Sequence, residues 1–301
     1  MIEIDGLTTE TSNEATKNID QLDSMGIVTL INQEDKKVAD AIEKELPQIA
    51  KAVDAIAERF RAGGRIIYCG AGTSGRMGVL DAVELTPTYS VPPERVFGLL
   101  AGGGQAMYRA VEGAEDSKEL AVEDLKRVVL TAQDCVIGIA ASGRTPYTLS
   151  ALEYANQTGA LSVSITCNQG SAMASAAQIS IAPVVGPEAI SGSTRMKAGT
   201  AQKMIANMIS TGVMVRLGKV YQNYMVHVQP TNEKLVVRSC RMISRITGAD
   251  GEEARKTLEK AGMCVPEAIV MLQSGCGREK AKEALAQAEG RVREAVRLAE
   301  M

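Results

Sequence analysis

Tryptophan is absent from the 301 residues, and histidine occurs once, at His227. A single imidazole excludes His-rich metal sites and leaves any Ser-His-Asp triad resting on that one residue. The six cysteines (69, 135, 167, 240, 264 and 276) form no Cys-x-x-Cys pair, and no second histidine exists to complete a zinc quartet. No apolar run approaches the ~18 residues that a membrane-spanning helix needs. Excess positive charge is also missing: 33 Lys and Arg against 36 Asp and Glu leave a net charge of −3. No global field is available to hold nucleic acid or an anionic membrane. Met1 to Thr16 is polar and acidic and lacks the basic and apolar segments of a signal peptide. These absences predict a cytoplasmic protein with neither a nucleic-acid nor a membrane partner. The cysteines are then small buried hydrophobes in a reducing compartment.

What is present is ordinary for a packed globular chain: 45% hydrophobic and 23% charged residues, which excludes a disordered chain or a coiled rod. From Asp35 to Phe60 apolar residues recur at helical spacing (Val38, Ile42, Ile49, Val53, Ile56, Phe60), with Pro47 placed to kink or divide the stretch. Five short runs follow: Arg65–Cys69, Arg95–Leu100, Asp134–Ala140, Leu161–Cys167 and Ile179–Val184. They are apolar at nearly every position, as strands covered on both faces are. Helical patterns separate them at Met77–Val83, Lys118–Val129 and Pro146–Thr158. Alternating strands and helices predict an α/β fold, a doubly wound, mostly parallel five-stranded sheet with right-handed crossovers. Beyond residue 195 the pattern is helical: Met196–Leu217, Asn232–Ile246, then three or four short helices broken at Gly262, Gly275 and Gly290.

Open α/β sheets bind ligands at the carboxyl ends of their strands. The first strand is followed by Gly70-Ala71-Gly72-Thr73-Ser74-Gly75-Arg76, a G-x-G-x-x-G match. A dinucleotide fingerprint needs an acid about 20 residues on, at the end of the second strand. That strand ends Leu99-Leu100-Ala101-Gly102, so a nicotinamide cofactor is disfavoured. Thr73 and Ser74 instead suit a phosphate held at the positive end of the next helix. The third strand runs into Ala140-Ala141-Ser142-Gly143-Arg144-Thr145-Pro146, again with two hydroxyls, a glycine and an arginine. Capping would explain one such loop; two in one sheet favour a phosphorylated small molecule. A third segment, Ser191 to Thr200, adds Ser193, Thr194, Arg195 and Lys197 ahead of the longest helix.

These loops resemble the sugar isomerase (SIS) domain. Four longer strings, Gly70–Leu80 (GAGTSGRMGVL), Val111–Ser117 (VEGAEDS), Ile139–Tyr147 (IAASGRTPY) and Gly186–Lys203 (GPEAISGSTRMKAGTAQK), resemble the N-acetylmuramic acid 6-phosphate etherase family. The third string is shared with the glucokinase regulatory protein and marks the superfamily. Ala140 stands where a serine often begins the second phosphate loop, a departure from isomerases that suits the etherase branch. The resemblance implies an N-terminal helical segment over 1–56, a phosphosugar-binding SIS domain over 57–220 and a ubiquitin-associated-like helical bundle over 221–301. It also implies a role in bacterial recycling of peptidoglycan sugars.

The implied reaction removes D-lactate from carbon 3 of a 6-phosphorylated amino sugar and yields N-acetylglucosamine 6-phosphate. In the open-chain sugar the carbon-2 proton is acidic and the lactyl oxygen is β to the aldehyde. A base, an acid and a water molecule then suffice, with no metal or cofactor. The resemblance carries these roles onto Glu84, proton donor to the departing lactate, and Glu115, most simply the base at carbon 2. Thr73, Ser74, Ser142, Arg144, Thr145, Ser193 and Thr194 are implied substrate contacts, with Glu188 and Lys197 near the sugar or the lactyl carboxylate. Ten residues separate Ser74 from Glu84, roughly 15 Å on a continuous helix, which a hexose phosphate spans poorly. The helix ends early, the phosphate sits mainly on the second loop, or a homodimer shares its sites; the last is favoured. Two other readings stay open: a non-catalytic phosphosugar-binding regulator, and an aldose–ketose phosphate isomerase. The two glutamates argue against the regulator, and so does a length suited to one such domain where that protein resembles two in tandem. His227 is expected to be structural or at the surface.

Overall fold

A computed structural model describes residues 8–230 and 232–301. The first seven residues of the polar N-terminal stretch lie outside that range. The helices are α1 (Ser24–Asp35), α2 (Lys37–Glu43), α3 (Leu46–Arg61), α4 (Gly72–Tyr89), α5 (Lys118–Arg127), α6 (Pro146–Thr158), α7 (Ala172–Ala176), α8 (Lys197–Arg216), α9 (Glu233–Thr247), α10 (Gly251–Lys260), α11 (Val265–Ser274), α12 (Arg278–Gln287) and α13 (Val292–Glu300). The strands are β1 (Ile66–Gly70), β2 (Val96–Leu100), β3 (Cys135–Ile139), β4 (Leu161–Ile165) and β5 (Ile179–Ile181). The chain divides into two compact units: Met1–Val83 with Pro93–Gly212, and Glu84–Pro92 with Val213–Met301.

The first unit is the α/β sheet, all parallel, in the order β2-β1-β3-β4-β5. β1, β3 and β4 are buried at every position, because helices cover both faces. One side is filled by Ile67, Val136, Leu125, Tyr147, Ala151 and Leu152, which bring α5 and α6 onto the sheet. Pro47 does divide the first helical stretch: it sits in the first turn of α3, where a missing N–H costs nothing. At the amino ends of the strands Asp134, just before β3, takes hydrogen bonds from the Arg65 backbone and guanidinium (2.9, 3.0 and 2.7 Å). Burial alone would raise its pKa, but the Arg65 and Thr131 donors outweigh that and hold it below the usual value.

The second unit is a helical cluster. Val226, Ile243, Leu258, Val265, Ile269, Ala281 and Ala295 are buried in its own core. Asn232 caps α9 by accepting from the Leu235 N–H (2.9 Å), and Asp250 caps α10 through Glu253 (2.8 Å). His227 is half-buried here. Burial and the nearby Lys219 push its pKa down to about 4, so the imidazole is neutral at neutral pH. All six cysteines are free thiols; Cys69, Cys135, Cys167 and Cys240 are buried. Burial raises the Cys167 thiol to about 12, which makes it a packing group rather than a nucleophile. No helix among the described residues is long and apolar enough to cross a membrane.

Candidate phosphosugar site

In a sheet of order 2-1-3-4-5 the connections leave in opposite directions on either side of the β1–β3 pair, and a crevice opens there at the carboxyl ends. Gly70 and Ile139, the last residues of these two strands, are register partners. The loops that follow them are the two hydroxyl-bearing segments. The geometry therefore places the Thr73/Ser74 loop and the Ser142/Thr145 loop side by side at the topological switch point.

After β1 the helix begins sooner than the apolar periodicity indicates. α4 starts at Gly72, and the Gly75 N–H already bonds Ala71 O (3.1 Å). Thr73 and Ser74 are thus in the first helical turn rather than ahead of it. Gly75 permits this: a Cβ there would lie 2.3 Å from Leu100 Cδ1 and 2.5 Å from Gly70 O. Only glycine lets the first turn press this closely against the end of β1. α4 then runs unbroken to Tyr89, which removes the early-ending helix as an explanation for the Ser74–Glu84 separation.

The second loop is clamped by the chain after β4. Ala141 O accepts from the Cys167 N–H (2.9 Å) and from Asn168 Nδ2 (2.9 Å), and Gly143 O accepts from the Met173 N–H (3.0 Å). Gly143 has φ +69°, and a Cβ there would meet Ser171 Oγ at 2.3 Å. Ser142 Oγ accepts weakly from the Arg144 N–H (3.3 Å). Thr145 stands at the N-cap of α6 but makes no side-chain capping bond, whereas Ser117 and Ser171 do cap α5 and α7. Capping therefore does not account for Thr145, and the first turn of α6 keeps donors for an anion.

Asn168 is one link that sequence inspection missed. Besides holding Ala141 O, it accepts from the Thr8 N–H (3.1 Å) and donates to Thr9 Oγ1 (3.3 Å). Asn13 and Thr16 extend this N-terminal strap to the carbonyls of Pro187 (3.2 Å) and Ala189 (2.8 Å). No local pattern marks such long-range polar pairs. Asn168→Ala removes three bonds around a buried side chain, a cost of about 1–3 kcal/mol. A lower melting temperature is the expected result, read by calorimetry.

The third string adds the start of α8. A Cβ on Gly199 would lie 3.5 Å from Thr73 Cγ2, so this helix begins against the first loop, with Ser193 and Thr194 half-buried just ahead of it. Glu188 and Lys197, expected at the sugar, are engaged inside the protein. Glu188 is fully buried and accepts from the Lys197 and Ala198 N–H groups (2.8 and 2.9 Å), capping α8. Lys197 is equally buried, with Nζ 2.6 Å from Glu34 on α1. Arg76, the arginine of the first loop's motif, points its guanidinium at the carbonyls of Ala106 and Met107.

Glu115 is exposed on a 3-10 turn, Ala114–Asp116, whose Ala114 packs against the α6 side of the core. Glu84 is exposed on α4, in the stretch that belongs to the second unit. No group of three or more metal-ligating side chains occurs among the described residues.

Two family models match the chain: the glucokinase regulatory protein N-terminal SIS domain over residues 48–156, and the SIS domain over 117–211. N-acetylmuramic acid 6-phosphate etherase 1 of Enterococcus faecalis is 62% identical over 291 residues, 97% of each chain. The N-acetylmuramic acid 6-phosphate etherase of Clostridium beijerinckii is 55% identical over 295 residues, covering 98% of this chain and 97% of that one. A solved phosphoheptose isomerase from Francisella tularensis is 18% identical, with a TM-score of 0.49, over 63% of this chain and 100% of that one.

Proposed function

The chain belongs to the N-acetylmuramic acid 6-phosphate etherase family, and we propose that it is itself the corresponding carbon–oxygen lyase. It eliminates D-lactate from N-acetylmuramic acid 6-phosphate and adds water to give N-acetylglucosamine 6-phosphate. One observation supports this reading beyond the likeness of sequence: the two hydroxyl-bearing segments follow register-paired strands and so flank the β1–β3 switch point.

The phosphate rests on the first turns of α4 and α6, with Thr73, Ser74, Ser142 and Thr145 as hydroxyl donors and Arg144 beside them. Ser193 and Thr194 complete the rim. Glu115 removes the carbon-2 proton of the open-chain sugar, and Glu84 protonates the departing lactyl oxygen. Water then adds at carbon 3 of the unsaturated aldehyde, and the carbon-2 proton is returned. Glu188 and Lys197 act on the site through the start of α8, since their polar atoms are committed inside the protein.

The protein works in the cytoplasm as a homodimer with shared sites. Support for a second copy comes from Leu80 and Val83, one turn apart on α4 and left 47% and 56% exposed. Incubation with N-acetylmuramic acid 6-phosphate and an assay for D-lactate test the activity. Absence of lactate, with fructose 6-phosphate still bound tightly, would turn the reading to a regulator. Mixing Glu84→Gln with Ser142→Ala subunits tests sharing: recovered activity is expected. No recovery in proven mixed dimers would mean that each site is self-contained.

A further inference from the structure

We propose that Arg76 is a positioning residue for Glu115, a role that rests on the etherase reading and assigns Arg76 to the base rather than to the phosphate. Arg76 lies one turn after Thr73 on α4. Its Nε donates to Ala106 O (3.0 Å) and Met107 O (3.2 Å), and its Nη2 to Ala106 O (2.7 Å). These carbonyls end a 3-10 turn, Gly103–Met107, at the tip of the loop that follows β2. Hydrogen bonds from a charged fork are stronger than neutral ones and fix direction as well as distance.

The loop is otherwise weakly held. Beyond Ala101, Ala106 is the buried side chain of this loop; Tyr108 is 91% exposed, and residues 109–113 are exposed throughout. The loop closes where Val111 lies on Gly102: a Cβ there would come within 2.7 Å of Val111 Cβ, and Gly102 has φ +87°. Only Glu112 and Gly113 then separate Val111 from the turn that carries Glu115. On its far side that turn is fixed by Ala114 against the core beneath α6. Glu115 is therefore held between two attachments. One is Arg76 on α4, and the other is the packing on α6. The first turns of these same two helices form the phosphate cradle, so the anchor of the substrate and the placement of the base share a framework.

A guanidinium on a phosphate and a guanidinium holding a loop make different kinetic predictions. Loss of a phosphate contact weakens binding and raises KM, whereas a displaced base lowers kcat. Misplacement of a reacting group by about 1 Å costs up to ~100-fold in rate. Arg76→Ala is therefore expected to lower kcat for lactate release by roughly 10- to 100-fold, with phosphosugar affinity within about threefold of wild type. Arg76→Lys, which keeps the charge but not the fork, is expected to fall between the two.

The decisive reading is a double-mutant cycle. In a Glu115→Gln background Arg76→Ala should slow the residual reaction little further, because the group it positions is gone. Added guanidinium ion should restore part of the rate to Arg76→Ala in the Glu115 enzyme alone. Multiplicative losses in the double variant, or a raised KM with unchanged kcat, overturn the proposal. If Arg76→Ala does not fold, as judged by its melting curve, the same cycle is run with Arg76→Lys. Lactate release by the wild-type protein is measured alongside. Its absence defeats the etherase reading itself, while an active wild type with an unaffected Arg76 variant defeats this proposal alone.

Discussion

Glu115→Gln is expected to slow lactate release by about 10²–10⁴-fold, the usual contribution of a positioned general base. Glutamine keeps the size and the hydrogen-bonding edge of the side chain but cannot take the carbon-2 proton. Glu115 is exposed and makes no buried contact, so the fold should be unchanged within roughly 0.5 kcal/mol. Glu84→Gln is expected to produce a loss of similar size by a different route. Proton exchange separates the two. In deuterium oxide, the Glu84 variant should still exchange the carbon-2 proton of the substrate while releasing no lactate. The Glu115 variant should do neither. Exchange retained in Glu115→Gln and lost in Glu84→Gln would reverse the assigned roles.

The sheet was legible in the sequence because its strands are buried on both faces. The run Arg65–Cys69 became β1 at Ile66–Gly70, and Pro146–Thr158 became α6 residue for residue. Helical breaks at Gly262, Gly275 and Gly290 fall between α10, α11, α12 and α13. Elements without an apolar signature escaped. The first turn of α4 is built on Gly72 and Gly75, which carry no periodicity: Gly72 supplies a positive φ of +52° and Gly75 a close approach to the end of β1. α1 went unread because Met25 and Val28 on it are exposed, 71% and 56%, and its buried residue is a glutamate. For the site, the hydroxyl loops were visible as local motifs. The duties of Arg76, Asn168, Glu188 and Lys197 were not, because each is set by a partner remote in sequence or by a helix end that exists only after folding. The sequence also gives no sign that Glu84–Pro92 groups with the helical unit, since α4 is continuous across that boundary.

Glu34→Gln should be among the most destabilising single substitutions, with a loss of about 3–5 kcal/mol, the range for stranding a buried charge. Glu34 is 3% exposed although its neighbours from Asn32 to Lys37 are all polar. Its Oε2 lies 2.6 Å from the Nζ of Lys197, which is 1% exposed, and its Oε1 lies 2.5 Å from Lys37 Nζ. Removing the carboxylate leaves the Lys197 ammonium with no counter-charge. Lys197→Met should cost less, because Lys37 still pairs with Glu34, and Lys37→Met least, under ~1 kcal/mol, because Lys37 is exposed. The same pair fixes the pH dependence. Burial by itself raises the Glu34 pKa, but hydrogen bonds from Lys197, Lys37 and Asn13 outweigh it and bring the group from 4.5 down to about 2. A folded-state value below the unfolded one means stabilisation that is complete above pH 4.5 and drains away as the pH falls towards 2. Urea midpoints of wild type and Glu34→Gln should therefore differ widely and by a constant amount from pH 5 to 7, then converge as the pH drops below about 4.5. A gap as wide at pH 3 as at pH 7 would show that the carboxylate charge is not what holds α1 to the start of α8.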